Sequence, residues 1–116
     1  MELFDSAQLA LGAAMRGATA RQQALADNLA NVDTPGYVRK DVDFHAALRT
    51  AMGGGDVNAL GFAPEADRSA PVRVDGNSVD VDAESSAMSQ NALEYDALAR
   101  VSATRIDILK SAMGLG

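Results

Sequence analysis

Cysteine and tryptophan are both missing from this 116-residue chain, and aromatic residues make up only 4% of it. Without cysteine there is no disulfide, no thiol nucleophile and no thiolate metal site to consider. With so few aromatic rings, a thick globular core is out of reach even though hydrophobic residues reach 47%. Much of that share is alanine, which adds little burial but has the best helix propensity and lets helices approach closely. Positive charge is scarce as well: 10 Lys and Arg stand against 16 Asp and Glu, a net charge of −6. That balance disfavours a nucleic acid or an anionic membrane as partner. No apolar run approaches the ~20 residues needed to cross a bilayer. The start, Met1-Glu2-Leu3-Phe4-Asp5, is acidic where a secretory leader carries positive charge, and Gln8, Gly12 and Arg16 break up the next residues. Export by a cleaved leader is therefore not expected.

The chain sorts into three zones of one modest domain. Residues 1–36 read as a long helix, with Asp5 or Ser6 as candidate N-caps. Phe4, Leu11, Met15, Ala18, Leu25, Leu29 and Val32 recur on one face, Gln8 and Gln22 filling the gaps. From Leu11 the spacing alternates four and three, as in a coiled-coil seam. Gly12 and Gly17 weaken this helix by roughly 1 kcal/mol each, so it needs a partner. Pro35 bars helical geometry at Thr34, and Pro35-Gly36 suits the centre of a type II turn, which ends the helix near Asn31 to Asp33.

Residues 37–78 carry weaker signals. Val42, Phe44, Ala47 and Leu48 suit a short strand or a helical turn, Gly53-Gly54-Gly55 reads as flexible, and Val72, Val74, Val79 and Val81 around Asp75-Gly76-Asn77 suggest a hairpin or extended arm. Residues 79–116 form a second long helix, capped by Asp80 or Asp82 and ended by Gly114. Its seam is Met88, Ala92, Tyr95, Ala99, Ser102, Ile106, Leu109 and Met113, with Leu98, Val101, Ile108 and Ala112 widening the apolar face. The expected fold is all-α: the terminal helices pair as an antiparallel coiled-coil hairpin, joined by an extended, partly flexible middle segment that includes a possible short β-hairpin. The second helix has more apolar surface than one partner can cover, which points to assembly.

Three stretches carry a family resemblance. Asn28-Leu29-Ala30-Asn31-Val32-Asp33-Thr34-Pro35-Gly36-Tyr37 resembles the signature of flagellar rod and hook proteins, where an N-terminal helix runs into a Thr-Pro-Gly-Tyr turn. Asp75-Gly76-Asn77-Ser78-Val79-Asp80-Val81-Asp82-Ala83-Glu84 and Asn91-Ala92-Leu93-Glu94-Tyr95-Asp96-Ala97-Leu98 are similar to the approach to the C-terminal helix, and to that helix itself, in proximal rod proteins. The resemblance implies a non-enzymatic subunit of the basal-body rod that assembles with itself and other rod proteins. It further implies export through the flagellar type III apparatus, contact with the membrane ring and export gate, and transmission of torque. No cofactor, small-molecule substrate or nucleic acid is implied. Asn28, Asn31, Thr34, Pro35, Gly36 and Tyr37 are the motif residues, and the two seams are the candidate assembly surface.

Competing readings are weaker. Counting from Asp75, the fifth, sixth and twelfth positions of a calcium loop fall on Val79, Asp80 and Ser86, so the loop pattern fails. Asp41, Asp43 and His45 are a weak metal or acid–base cluster, and the three glycines lack the Lys-Ser/Thr of a phosphate loop. An intracellular helical adaptor or secretion chaperone would explain the seams and the acidic charge, but not Thr-Pro-Gly-Tyr. Within the family the rival is proximal rod protein C, against which residues 91–98 argue.

Overall fold

A computed structural model describes residues 6–53 and 61–114. The Phe4 and Asp5 positions expected to start the first helix lie outside that range, as do Gly54 and Gly55. Helix α1 (Ser6–Ala30) is followed by strand β1 (Lys40–Asp41), helix α2 (Phe44–Met52), strand β2 (Glu65–Ala66) and helix α3 (Val81–Ala112). The long terminal helices pack against one another, as expected, in a molecule 62 × 28 × 15 Å across.

Both helix boundaries arise from local chemistry. Beyond Ala30 the chain tightens into turns, and the Tyr37 amide bonds the Thr34 carbonyl at 3.2 Å. Pro35 and Gly36 fill the centre of that turn and Gly36 has φ 76°, the type II geometry the sequence implies. Asp80 is the cap of α3, its Oδ1 accepting from the Asp82 and Ala83 amides at 2.9 and 3.2 Å. Asp82 and Glu84 in the first turn and Lys110 in the last complement the helix dipole.

The ambiguous stretch from Val42 to Leu48 resolves as helix, with Phe44, Ala47 and Leu48 in α2, and the strand β1 ends just before it at Asp41. β1 pairs antiparallel with β2, Lys40 opposite Ala66 and Asp41 opposite Glu65. Asp43 then starts α2 by accepting the Ala46 amide at 3.2 Å. The hairpin suggested around Asp75-Gly76-Asn77 is not one. Arg73 N–H bonds the Asn77 carbonyl and Gly76 N–H the Arg73 carbonyl, closing a tight turn. The strand-forming bonds on either side go elsewhere: Gly36 N–H to the Asp75 carbonyl and Ser78 N–H to the Tyr37 carbonyl, at 2.9 and 3.0 Å. Residues 75–78 thus close a turn onto Arg73 and also bond the exit of α1, with no strand ladder between 72–74 and 77–81.

The core sits where α2 crosses α1. Ala14, Ala18, Ala24, Val42 and Phe44 are buried together, with Ala20, Leu48, Phe62 and Leu98 against them. Phe44 lies directly over Gly17, where an added Cβ would come within 2.5 Å of the Phe44 Cβ. Read from sequence alone, Gly17 is only a weak point in a helix. In the fold it is the notch that seats the largest core side chain.

Candidate assembly site

The motif residues converge on a junction between the end of α1 and the start of α3. Asn28 is fully buried. Its Nδ2 donates to the Lys40 carbonyl at 2.7 Å and to Glu84 Oε2 at 3.1 Å. Its Oδ1 accepts from the Lys40 amide at 2.9 Å and the Tyr37 hydroxyl at 3.3 Å. By holding both the amide and the carbonyl of Lys40, the side chain behaves like a neighbouring strand. Asn77, also fully buried, donates from Nδ2 to the carbonyls of Asn31, Val32 and Thr34 at 2.8, 3.1 and 2.8 Å. Those carbonyls lie at or beyond the helix end, where intrahelical partners run out. Arg73 Nη2 adds a bond to the Val32 carbonyl at 2.5 Å. Asn31 turns its own amide back onto the Asp27 carbonyl and accepts from the Thr34 hydroxyl. Gly36 and Gly76 both have positive φ, and a Cβ on Gly76 would stand 3.2 Å from the Gly36 Cα, so the two turns touch backbone to backbone.

Charge locks the same place. Arg39 Nε donates to Glu84 Oε1 and its Nη1 to Asp67 Oδ2, both at 2.5 Å, and Nη2 lies 3.4 Å from Asp41 Oδ2. Arg21 reaches Asp41 at 2.9 Å. The Glu84 side chain is 1% exposed, so this is a buried ion pair satisfied on both oxygens. The hydrogen bond to Glu84 drives the Arg39 pKa upward, and burial does not reverse it. Burial alone would raise the Asp41 carboxyl, but the Arg21 contact, the Val42 amide and Arg39 together hold it below its ordinary value. Burial, then Asp27 and Glu84, push the Tyr37 hydroxyl upward and keep it protonated.

The seam residues are distributed unevenly. Ala18 and Leu25 are buried, while Leu11, Met15, Leu29 and Val32 are half-buried. On α3 the face turned to α1 carries Glu84, Asn91, Leu98 and Arg105 at intervals of seven, of which Glu84 and Asn91 are buried. Asn91 Nδ2 donates to the Ala18 carbonyl at 2.7 Å and to Gln22 Oε1 at 2.9 Å, and Gln8 Nε2 donates to the Ser102 hydroxyl at 2.6 Å. Met88, Ser102 and Leu109 are half-buried. Ala92, Ala99, Ile106 and Met113 turn to the side that α2 does not cover, where Ala92, Met113 and Tyr95 are exposed. There the helices leave two adjoining depressions. One, of about 280 Å³, is lined by Thr19, Gln22, Asn91, Ala92 and Tyr95; the other, of about 410 Å³, by Gly12, Met15, Arg16, Thr19 and Tyr95.

The weak metal cluster is dispersed into structural contacts: Asp41 to Arg21 and Arg39, Asp43 to the start of α2, His45 to Glu94. Among the described residues no group of three or more His, Asp or Glu side chains is placed to hold a metal ion. Among those residues, too, no helix is long and apolar enough to cross a membrane. Arg39 and Arg73 are the site residues that sequence patterns pass over. Asn77, Glu84 and Asn91 fall within the stretches that carry the resemblance, but their part in the junction is not readable from those stretches.

A saturated polar junction clamping two long helices, with an apolar side left open, defines a helical assembly subunit. Comparison with known proteins gives the family. The sequence pattern of the flagella basal body rod protein family matches residues 10–37, which span most of α1 and the whole turn. The chain is 33% identical to flagellar basal body rod protein FlgB of Proteus mirabilis, over 66% of this chain and 71% of that one. It is 35% identical to the FlgB of Salmonella typhimurium, over 65% and 69%, and 31% identical to that of Borreliella burgdorferi, over 72% and 77%. The chain belongs to the flagellar basal-body rod protein family.

Proposed function

We propose that this chain is a non-catalytic structural subunit of the proximal rod, joining the membrane ring and export gate to the distal rod and transmitting torque. In this reading the segments 1–36 and 79–116, which carry α1 and α3, form one core unit, and the 37–78 segment braces it. A place in the periplasm-spanning part of the basal body belongs to the same proposal. The observation that carries it is the junction. Asn28, Asn77 and the paired turns at Gly36 and Gly76 fix the relative direction of two helices through saturated polar contacts. A part that transmits torque needs such a fixed angle in every copy.

The proposed seam is tested at Leu109. This residue is half-buried on α3, and a carboxylate there would lose part of its water without gaining a partner, at a cost of about 1–3 kcal/mol. Leu109→Asp is expected to give a soluble chain that does not enter the rod, whereas Asp107→Asn, at an exposed position, is expected to be nearly silent. Complementation of a rod-deficient strain, scored by swimming and by the protein content of purified basal bodies, separates the two. Normal basal bodies built with Leu109→Asp would remove the seam from the proposal.

A further inference from the structure

Among the described residues, two opposite faces of the helix pair remain uncovered. On one side is the open groove floored by Gly12 and lined by Met15, Thr19, Ala92 and Tyr95. On the other, Leu93, Ala97, Val101, Thr104 and Ile108 succeed one another along α3 at intervals of four, four, three and four. At about 100° per residue this ridge stands roughly opposite Ala92 and Tyr95. Its large members are well exposed, Leu93 by 71%, Val101 by 49% and Ile108 by 62%. Water-facing apolar side chains at that spacing are the pattern of a helix lacking a neighbour.

We infer that the ridge of one copy seats in the Gly12–Tyr95 groove of a second copy of this chain, head to tail. This rests on the rod-subunit reading and deepens it by naming the neighbour. Height is the first support. The bonds from Asn91 to Ala18 and from Gln8 to Ser102 fix which parts of the helices lie level. Leu93, Ala97 and Val101 run past the same stretch of α1 as Thr19, Met15 and Gly12. A side-by-side neighbour therefore meets the groove with little axial offset. Charge is the second support. Arg16 borders the groove, while Glu94, anchored by His45 beside the ridge, lies at the same height. Arg16 and Glu94 are on opposite sides of a single copy and come together only between copies. Because ridge and groove are different surfaces, each copy uses both, and the contact propagates around a ring or along a helix instead of closing as a two-fold dimer.

The chain has no cysteine of its own, so introduced cysteines report cleanly. Met15→Cys and Ala97→Cys, which lie level in that register, combined in one chain are expected, on oxidation of purified basal bodies, to give a ladder of covalent oligomers beyond the dimer. Neither single variant should give one. The charge test is independent. Arg16→Glu and Glu94→Arg should each lower incorporation roughly fivefold, the upper end for an exposed ion pair, and the double reversal should restore it. Since the double variant still lacks the His45–Glu94 contact, restoration can come only from pairing between copies. If the chain is missing from wild-type basal bodies, the rod reading itself fails. If the doubly substituted chain is present but stays monomeric on oxidation, or Ala97→Cys alone gives dimers, the head-to-tail contact is overturned while the rod reading stands. A double charge reversal no better than the worse single one overturns it equally.

Discussion

The junction and the far half of α3 are built on opposite plans. Around Asn28, Asn77, Arg39 and Glu84, buried polar groups are matched with named partners, and direction is set by hydrogen-bond geometry. Beyond Asn91, α3 continues for about six turns without burying another residue. One region is closed by buried polar contacts; the other has half-buried side chains and contacts such as the Gln8–Ser102 bond. Order free energy is therefore concentrated at the bend, and under the proposed function the exposed half of the helix is what assembly would cover.

The strongest way to break this contrast is to disable the junction. Glu84→Gln keeps the shape but removes the buried charge that Arg39 faces. Breaking a buried pair costs about 3–5 kcal/mol, and the low end applies here because Asp41 and Asp67 still flank the guanidinium. Hydrogen exchange should show the Arg39, Lys40 and Ser78 amides losing roughly a hundredfold in protection. Unchanged protection at those amides would mean that the ion pair does not hold the bend.

A smaller effect is expected at the turn. Gly36 has φ 76° with open space where its side chain would be, so Gly36→Val brings conformational strain without a clash. The cost is about 1–3 kcal/mol, and Gly36→Asn, better tolerated in that region, should cost less. The Gly36 amide, bonded to the Asp75 carbonyl, is the reporter. Equal exchange rates in both variants and the wild type would show that the turn is not restrained by its left-handed residue.

That turn was legible in the sequence because proline and glycine impose their geometry locally. Asp80 was legible for the same reason, since a cap acts within three residues. Gln8 and Gln22, which interrupt the apolar spacing, mark where α1 makes polar contacts to Ser102 and Asn91. The face of α3 was harder. Hydrophobic periodicity points Ala92 and Met113 inward, yet both are exposed, and the buried side chains of this helix are Glu84 and Asn91. Ala99 and Ile106 are half-buried like Leu98 and Arg105. A pattern of apolar residues cannot reveal a contact made by carboxamides. Nor can it show that Gly17 is empty for Phe44, which arrives from 27 residues further along the chain. The β1–β2 pairing is too short to leave any alternating signal.

The smallest expected effect isolates the far half of α3. Ala103 is exposed in its middle, away from the face that meets α1. Ala103→Gly removes no tertiary contact and costs about 1 kcal/mol of helix propensity. Where neighbours are absent, local propensity is most of what keeps this stretch helical, so amides from 103 to 112 should exchange roughly fivefold faster. The Arg39 and Ser78 amides should not change. If they lose protection together with the tail, the two regions open as one unit and the contrast fails. If only the tail responds, the far half of α3 is an independently yielding arm, as a surface left for a neighbouring subunit requires.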